Sequence, residues 1–430
     1  MRVCVLRLAV AAACLAIGSS SLFAQGVRTR ERTFEASEVL AADLRRARVH
    51  SGPFYLLSNI QFSDLGYESQ FFFPSAEQGG GFSLVVSAPQ KLYFVPTRKT
   101  IYSLTVTPEY AFFNKGGGNG DSPWGYLVRG DAHYLLNHIY INVFGMQSNR
   151  LQALSGEINR IVTQRDETAG VTGEFRYSSK THAFYTFSGR RATYPSSRYQ
   201  PSDLTAPVPG IRGSIFDLDR RERNARVSLL HRTFPLTSLT LAAEANKYTF
   251  PSSADRNSTR RYVAPGLAYD SGRTTFKAEA GPAVVHFYTP SLTPDFHGIV
   301  GNAAFGHSIN PKTSLTLAAD RDVDFSIAAG ERYYVGDRAL FAVERQATRR
   351  LSLRFSSTVG RDIYPVDTLN PVNALFERRR DEFSFTAIGW RYTMRHIRGG
   401  FDIGYYQRRS NFEIDEQNGI RLGIALSLSP

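Results

Sequence analysis

The chain has 430 residues, a formal net charge of +13 and 42% hydrophobic residues. This hydrophobic content is too high for a disordered chain, and the mean hydropathy of −0.26 is too low for a bundle of membrane helices. Both cysteines, Cys4 and Cys14, lie at the start of the chain. If this segment is removed, the mature chain contains no cysteine and therefore has no disulfide, thiolate metal site or cysteine nucleophile.

The first residues have the three parts of an export signal. Arg2 and Arg7 form a positive start, Leu8–Ile17 is apolar, and a run of small residues ends at Ala24. The sequence therefore predicts a secretory signal peptide over residues 1–24. The apolar run is too short to cross a bilayer, and no later stretch reaches the roughly 20 apolar residues that a membrane helix needs.

Residues 25–52 differ from the rest of the chain because they are rich in charge and alanine. Val39, Leu40 and Leu44 share one face of a predicted short helix that begins near Ser37. We interpret this part as a short N-terminal periplasmic segment. A plug inside a barrel is the less favoured alternative, because so short a segment buries little surface.

From Pro53 onward, apolar and polar residues alternate with a period of two. In one clear segment Leu315, Leu317 and Ala319 alternate with polar residues. Successive side chains of a strand point to opposite faces, so this pattern predicts strands and excludes helices. The same alternation runs through residues 126–136, 236–250, 350–360 and 420–428.

The connections between these segments are alternately short and long. Short turns are predicted near residues 234–235, 270–272, 310–311, 346–349 and 396–398, and longer polar loops at 114–123, 195–212, 251–258 and 362–380. Many segments are longer than the roughly five or six residues of a globular strand. The sequence therefore predicts an all-β fold, a single antiparallel transmembrane β-barrel of about 16–18 strands over residues 53–430, in the cell outer membrane.

One segment departs from the pattern. Phe383 and Phe385 are odd-numbered, whereas Trp390 and Tyr392 are even-numbered, and we expect a bulge at Gly389 to reset the face. A soluble β-sandwich also alternates, but aromatic residues near the strand ends favour the barrel, whose lipid interfaces have aromatic girdles.

The polar face of a closed barrel lines a lumen, which can hold water at this strand number. The chain has 44 arginines and 7 lysines, and the arginine fork pairs well with carboxylate, sulfate or phosphate. An anionic solute is one explanation; codon composition and contact with anionic outer-leaflet lipid are equally good ones. The predicted lumen-lining residues are Arg129, Asp131, His133, Arg176, Lys277, Glu279, Arg350 and Arg354.

No set of residues in the sequence indicates an enzyme, a metal site or a cofactor. The chain has no HExxH, CxxC or GxSxG motif, and its histidines occur singly. Residues 320–324 superficially resemble a calcium loop but lack its glycine and distal glutamate. The basic runs are interleaved with or followed by acids, so we expect no nucleic-acid partner.

The C-terminal residues resemble the signal read by the barrel assembly machinery of the outer membrane. The matching positions are Arg421, Gly423, Leu426 and Leu428, although the terminal aromatic residue of the common pattern is missing.

Most of the mature chain also resembles the outer-membrane barrel family associated with exopolysaccharide export. Its opening signature, Gly-Tyr-Asp-Ser, is similar to residues 66–69, where Glu68 replaces the aspartate. Shorter similarities lie at residues 216–220, 269–270, 380–381, 409–411, 418 and 422–423.

The resemblance implies a conduit that exports a hydrophilic or anionic polysaccharide. The expected partners of the protein are outer-membrane lipid, the barrel assembly machinery, the polysaccharide and periplasmic export components. A general diffusion porin for small solutes and a surface-binding barrel that transports nothing are the alternatives. A lipid-modifying enzyme of the outer membrane is a more distant one.

Overall fold

The structure is a computed structural model that describes residues 36–47, 49–68, 81–113, 124–153, 161–195, 218–289, 293–326, 331–369, 375–395, 397–412 and 417–428. The predicted signal peptide and both cysteines lie outside these residues, as do the predicted loop at 114–123 and most of the one at 195–212.

The described chain contains one short helix, α1 (Ala36–Arg46), a single 3-10 turn at Ala254–Arg256 and 21 strand segments. The strand segments are β1 (Val49–Ser51), β2 (Phe54–Ser58), β3 (Ile60–Glu68), β4 (Gly81–Ser87), β5 (Gln90–Phe94), β6 (Thr100–Phe113), β7 (Trp124–Leu135), β8 (Ile139–Ala153), β9 (Ile161–Arg176), β10 (Thr181–Thr193), β11 (Arg220–Phe234), β12 (Thr237–Thr249), β13 (Ser258–Asp270), β14 (Thr274–Phe287), β15 (Phe296–Asn310), β16 (Thr313–Phe325), β17 (Tyr333–Gln346), β18 (Leu351–Leu369), β19 (Phe376–Thr393), β20 (Ile397–Ser410) and β21 (Gln417–Leu428).

These segments form a closed antiparallel barrel of 18 strands. β1 is a three-residue segment that pairs only with β2 and is not counted as a barrel strand. β2 and β3 are two parts of one strand, and β4 and β5 are two parts of the next. Each strand pairs with its successor, and β21 pairs with β3 to close the sheet, from Leu428 opposite Ile60 to Arg421 opposite Glu68. The predicted all-β barrel is confirmed, at the upper end of the expected strand count. Among the described residues, no helix is long and apolar enough to cross a membrane.

Tight turns lie at one end of the barrel and longer connections at the other. The turn after β13 is typical of the tight end. Gly272 adopts a φ of 76°, and its backbone N–H donates to the Asp270 carboxylate over 2.7 Å. Glycine has no Cβ and therefore adopts this left-handed conformation without strain.

The loop predicted over residues 362–380 is wrong. β18 continues to Leu369 and β19 begins at Phe376. Asp362 and Asp381 are buried side chains that pair with arginines, over 3.3 Å to Arg338 and 2.9 Å to Arg379. The charges in this stretch therefore belong to the interior of the barrel and do not indicate a loop.

The bulge predicted at Gly389 is also wrong. β19 keeps an uninterrupted register there, with Ile388, Gly389 and Trp390 opposite Phe355, Arg354 and Leu353. Trp390 faces outward, whereas Phe383 faces inward and packs over Gly360, which leaves room for the ring. An inward aromatic residue thus caused the apparent change of face.

The outer face of the barrel is apolar and exposed, as the hydrocarbon core of a membrane requires. On β12, Leu239 and Leu241 are 50% and 53% exposed, and Thr240 between them faces inward. A closed barrel satisfies every backbone hydrogen bond within its own wall, so this exterior places the chain in the outer membrane.

Adjacent residues on β12 provide a direct test of which face meets lipid. Leu241→Arg puts a charge into hydrocarbon and should lower the free energy of unfolding in lipid vesicles by about 2–4 kcal/mol. Thr240→Arg puts the same charge into the lumen and should change it far less. Urea titrations of both variants in vesicles measure the difference, and equal losses would contradict the sidedness.

Candidate functional site

The inner face of the barrel is identified by side chains that reach past neighbouring strands. Arg226 on β11 donates to Glu279 on β14 over 2.8 Å, and Arg260 on β13 pairs with Asp322 on β16 over 2.6 Å. Two strands lie between the members of each pair. Such contacts form only across a concave surface, so this polar face lines the lumen.

The lumen charges are organised around arginines that bridge two acids. Arg226 also donates to Glu244 over 3.0 Å, and the Asn246 amide donates to the same carboxylate over 2.7 Å. Arg190 bridges Asp166 and Glu222 in the same way, over 2.7 and 3.3 Å. The forked guanidinium suits this role because it presents several donors in a fixed plane. The inner wall is therefore a surface of mixed and largely compensated charge.

Three of the predicted lumen residues lie together on β7. Arg129 pairs with Asp131 over 2.8 Å, and the Asn142 amide donates to Asp131 over 3.0 Å. His133 lies one step further along the same face, with Nδ1 at 2.9 Å from the Tyr140 hydroxyl. The spacing of two residues along one strand brings these side chains to one face, as the alternation indicates.

The other predicted lumen residues are distributed around the wall. Arg176 pairs with Glu174 over 2.8 Å on β9, and Lys277 lies beside Glu279 on the inner face of β14. Arg354 lies on the inner face of β18 and is half-buried, whereas Arg350 is an exposed residue in the turn before that strand. The structure gives Arg354 no hydrogen bond or ion pair with any described residue.

The predicted assembly-signal residues lie in the closing strand. Leu426 and Leu428 share the lipid-facing side of β21 with Ile424, while Arg421 and Gly423 share the lumen side. The Asp402 carboxylate lies directly over Gly423. Recognition of this strand by the assembly machinery stays a prediction.

The ends of β16 and β17 leave the wall and fold into the lumen. Pairing of β15 with β16 ends at Gly301 and Arg321, although β16 continues its pairing with β17 as far as Phe325 and Tyr333. We call residues 322–326 and 331–334 the constriction hairpin, since pairing of β17 with β18 begins at Val335.

Aromatic residues fix the constriction hairpin against the inner wall. The centre of the Phe325 ring lies 4.8 Å from the ring centres of both Tyr248 and Phe250. Tyr248 belongs to β12, which is four strands away from β16 in the wall. The Tyr333 ring lies 5.8 Å from that of Phe287 and 5.9 Å from that of Phe296. These contacts with β12, β14 and β15 are possible only if the hairpin lies inside the barrel.

Charged groups hold the same hairpin on its other sides. Arg256, in the connection after β12, donates to the Ser326 carbonyl oxygen, and Arg338 lies 3.7 Å from Asp324. The aspartates at 320, 322 and 324 thus have arginines as neighbours. Within the described ranges, no three His, Cys, Asp or Glu side chains are grouped as a metal site requires.

Sequence reasoning did not find the constriction hairpin. Its alternation is that of an ordinary strand, and its partners Tyr248 and Phe287 are distant in the sequence. The concentration of aspartates at residues 320–324 was the available signal, because so many acids on one strand require nearby cations.

Helix α1 packs on the lumen side of the wall at the tight-turn end. Leu40 is 4% exposed and packs with Tyr93 and Ile101. The Asp43 carboxylate accepts from the Tyr93 hydroxyl over 2.6 Å and pairs with Lys91 over 2.9 Å. The predicted short helix is therefore present, and it covers part of this mouth of the barrel.

Comparisons with known proteins support the fold. No protein-family model matches the chain, and no curated protein matches it. Solved porin structures are similar over 87% of this chain. OccK9 (OpdG) from Pseudomonas aeruginosa has 10% sequence identity and a TM-score of 0.52 over 98% of its length.

Two further porin structures are similar to the same extent. The BenF-like porin from Pseudomonas fluorescens Pf-5 and Pseudomonas aeruginosa OpdK with vanillate each have 11% identity and a TM-score of 0.50 over 99% of their length. The likeness is one of fold, that of an outer-membrane porin barrel. The expected exopolysaccharide-export family is not confirmed.

Release of α1 from the wall should widen the mouth. In the double variant Leu40→Ala and Asp43→Ala, the helix loses its buried leucine, worth about 2–5 kcal/mol, and its carboxylate contacts. Single-channel conductance in planar bilayers should therefore rise. Arg46→Gln, an exposed position on the same helix, is the control and should leave conductance unchanged. Equal conductance in the wild type and the double variant would contradict a covering role.

Proposed function

We propose that this protein is a diffusion pore for small hydrophilic solutes, and not a conduit for an exported polysaccharide. The observation that supports this proposal is the constriction hairpin, which occupies part of the lumen and is held by contacts on three strands and one connection. Helix α1 narrows the opposite mouth. A passage obstructed at two levels suits small molecules better than a hydrated polymer chain. The solved porin structures also favour the small-solute alternative over polysaccharide export.

We further propose that the pore prefers small organic anions. Arg354 supports this, since it lies on the inner face of β18, is half-buried and has no hydrogen bond or ion pair with a described residue, so its guanidinium can accept a carboxylate of the solute as a partner. Glu344 lies opposite Arg354 on the neighbouring strand, and Asp402 lies two strands away on the other side, so the attraction of Arg354 for an anion stays moderate. Vanillate, bound in one of the similar structures, is a carboxylate of this class. Such contacts allow entry without trapping, which conduction requires.

The size limit of the pore tests the first proposal. Proteoliposomes with the wild-type protein should swell in monosaccharides and resist swelling in longer oligosaccharides. Phe325→Ser with Tyr333→Ser removes the aromatic anchors of the constriction hairpin and should raise the size limit. Trp390→Ser with Tyr392→Ser removes two aromatic side chains from the outer face and is the matched control. Wild-type vesicles that swell equally in polymer and monosaccharide would contradict the proposal.

The contribution of Arg354 is measured by ion preference. Arg354→Gln should lower the anion-to-cation permeability ratio, obtained from the reversal potential across a salt gradient, because a lumen cation is lost. Arg350→Gln removes the same charge from the exposed turn and should lower it less. If Arg354→Gln leaves both the ratio and vanillate flux unchanged, Arg354 is not a solute contact.

A further inference from the structure

Four basic side chains cluster on the outside of the barrel at the end with the longer connections. They alternate with apolar outward residues of the same strands, such as Val227 and Val263, and all four are exposed. We call them the cationic patch: Arg221, Arg223, Lys247 and Arg261.

The cationic patch has an excess of positive charge that the described residues do not compensate. Arg223 lies directly opposite Lys247 in the β11–β12 register. On the next strand, Arg261 lies diagonally from Lys247, two residues beyond the residue opposite it. No described acidic side chain pairs with any of the four, and the Lys247 ammonium lies 5.9 Å from the Tyr288 ring centre. Like charges directly opposite destabilise a sheet, so an external anion would relieve the repulsion.

A neighbouring part of the same outer face shows the opposite arrangement. Asp337 lies between Arg321 and Arg361, paired with them over 2.6 and 2.9 Å. The same row continues with Glu382 and Arg409 in alternating sign. Exposed arginines of this barrel thus find acids where the sequence supplies them. The cationic patch lacks such acids, which points to a partner outside the chain.

The height of the cationic patch identifies the chemistry of that partner. Lys247 and Arg223 lie about ten residues from the tight turn between β11 and β12. At about 3.4 Å per residue and a tilt of about 40°, this is roughly the 25 Å height of the apolar band. Barrels of this class have their short turns in the periplasm and their longer loops outside the cell. The patch, at the end with the longer connections, therefore lies at the lipid interface of the outer leaflet, where the anionic groups are phosphates on an acylated sugar.

A groove on the same exterior, beside the patch, suits the apolar part of such a lipid. It is the outer part of a pocket of about 820 Å³ that is also lined by Asp320, Arg338 and Phe383 of the inner face. On the outer side, a row of small residues crosses four adjacent strands. These are Ala278, Ala303, Ala319 and Ala339. The charged row of Arg321 and Asp337 bounds it towards the interface, and Phe305 and Phe341 lie on the side towards the membrane centre.

We propose that this outer surface is a binding site for lipid A, the phosphorylated and acylated disaccharide of lipopolysaccharide. The phosphates bind the cationic patch through charge-assisted hydrogen bonds, and an acyl chain lies in the groove. A second copy of this chain is a poorer occupant, because two apposed patches would repel each other. The proposal does not depend on the pore function, since none of the four residues of the cationic patch faces the lumen.

Native mass spectrometry of the full-length protein in detergent, titrated with bisphosphorylated lipid A, tests the proposal. The patch variant carries Arg221→Gln, Arg223→Gln, Lys247→Gln and Arg261→Gln. The control variant removes four positive charges from the tight turns at the opposite end, through Lys180→Gln, Lys312→Gln, Arg349→Gln and Arg395→Gln. Heat-modifiable migration verifies that each variant is folded, and Arg223→Gln with Lys247→Gln is the milder substitute for the patch variant.

The proposal predicts that the patch variant weakens lipid A binding by about tenfold or more, whereas the control variant stays near the wild type. Single-channel conductance should stay unchanged in the patch variant, which separates this site from the pore. Ala319→Phe with Ala339→Phe fills the groove and should also weaken binding. Equal weakening in the patch and control variants, unchanged binding in the patch variant, or equally tight wild-type binding of phosphatidylglycerol would each overturn the proposal.

Discussion

Closure of the sheet is the constraint on which the rest of this structure depends. Hydrocarbon offers no partner to a backbone N–H or C=O group, so every such group in the membrane must pair within the protein. The pairing of β21 with β3 joins the last described strand to the first and closes the wall. Once the wall is closed, the alternation of side chains separates two environments: an apolar exterior and a lumen of arginines and acids.

Most charged side chains in the lumen are paired with groups of opposite charge. The constriction hairpin is the structural element that leaves the wall and enters this lumen. Arginines such as Arg226 and Arg338 each contact more than one acid. The constriction hairpin lies inside the lumen and not in the wall, and its aromatic residues contact β12, β14 and β15. The same departure ends the pairing of β15 with β16 at Gly301 and Arg321, both of which line the groove on the exterior. The point at which β15 and β16 separate thus lies next to both the constriction hairpin inside the lumen and the groove on the exterior.

The sequence alone predicts the barrel and most of its turns, because alternation and turn residues are local signals. It does not predict contacts between strands that are not neighbours: Arg226 and Glu279 are 53 residues apart and meet only across the curved wall. The same reason explains the two errors in the later strands. Charges around Asp362 and the ring of Phe383 had inward partners that no local pattern reveals. Arg354 and Arg350 look equivalent in the sequence, yet one faces the lumen and the other lies in a turn.

The position of the constriction hairpin is the central claim, and cross-linking in intact outer membranes tests it most directly. Both native cysteines lie in the predicted signal peptide, so an engineered pair stands on a clean background. Tyr248→Cys with Phe325→Cys should be joined in high yield by a short bismaleimide, since the native rings lie 4.8 Å apart. The wall pair Leu353→Cys with Trp390→Cys, on paired strands, sets the reference yield. A reference pair that reacts while the Tyr248–Phe325 pair does not would contradict an inward-folded hairpin.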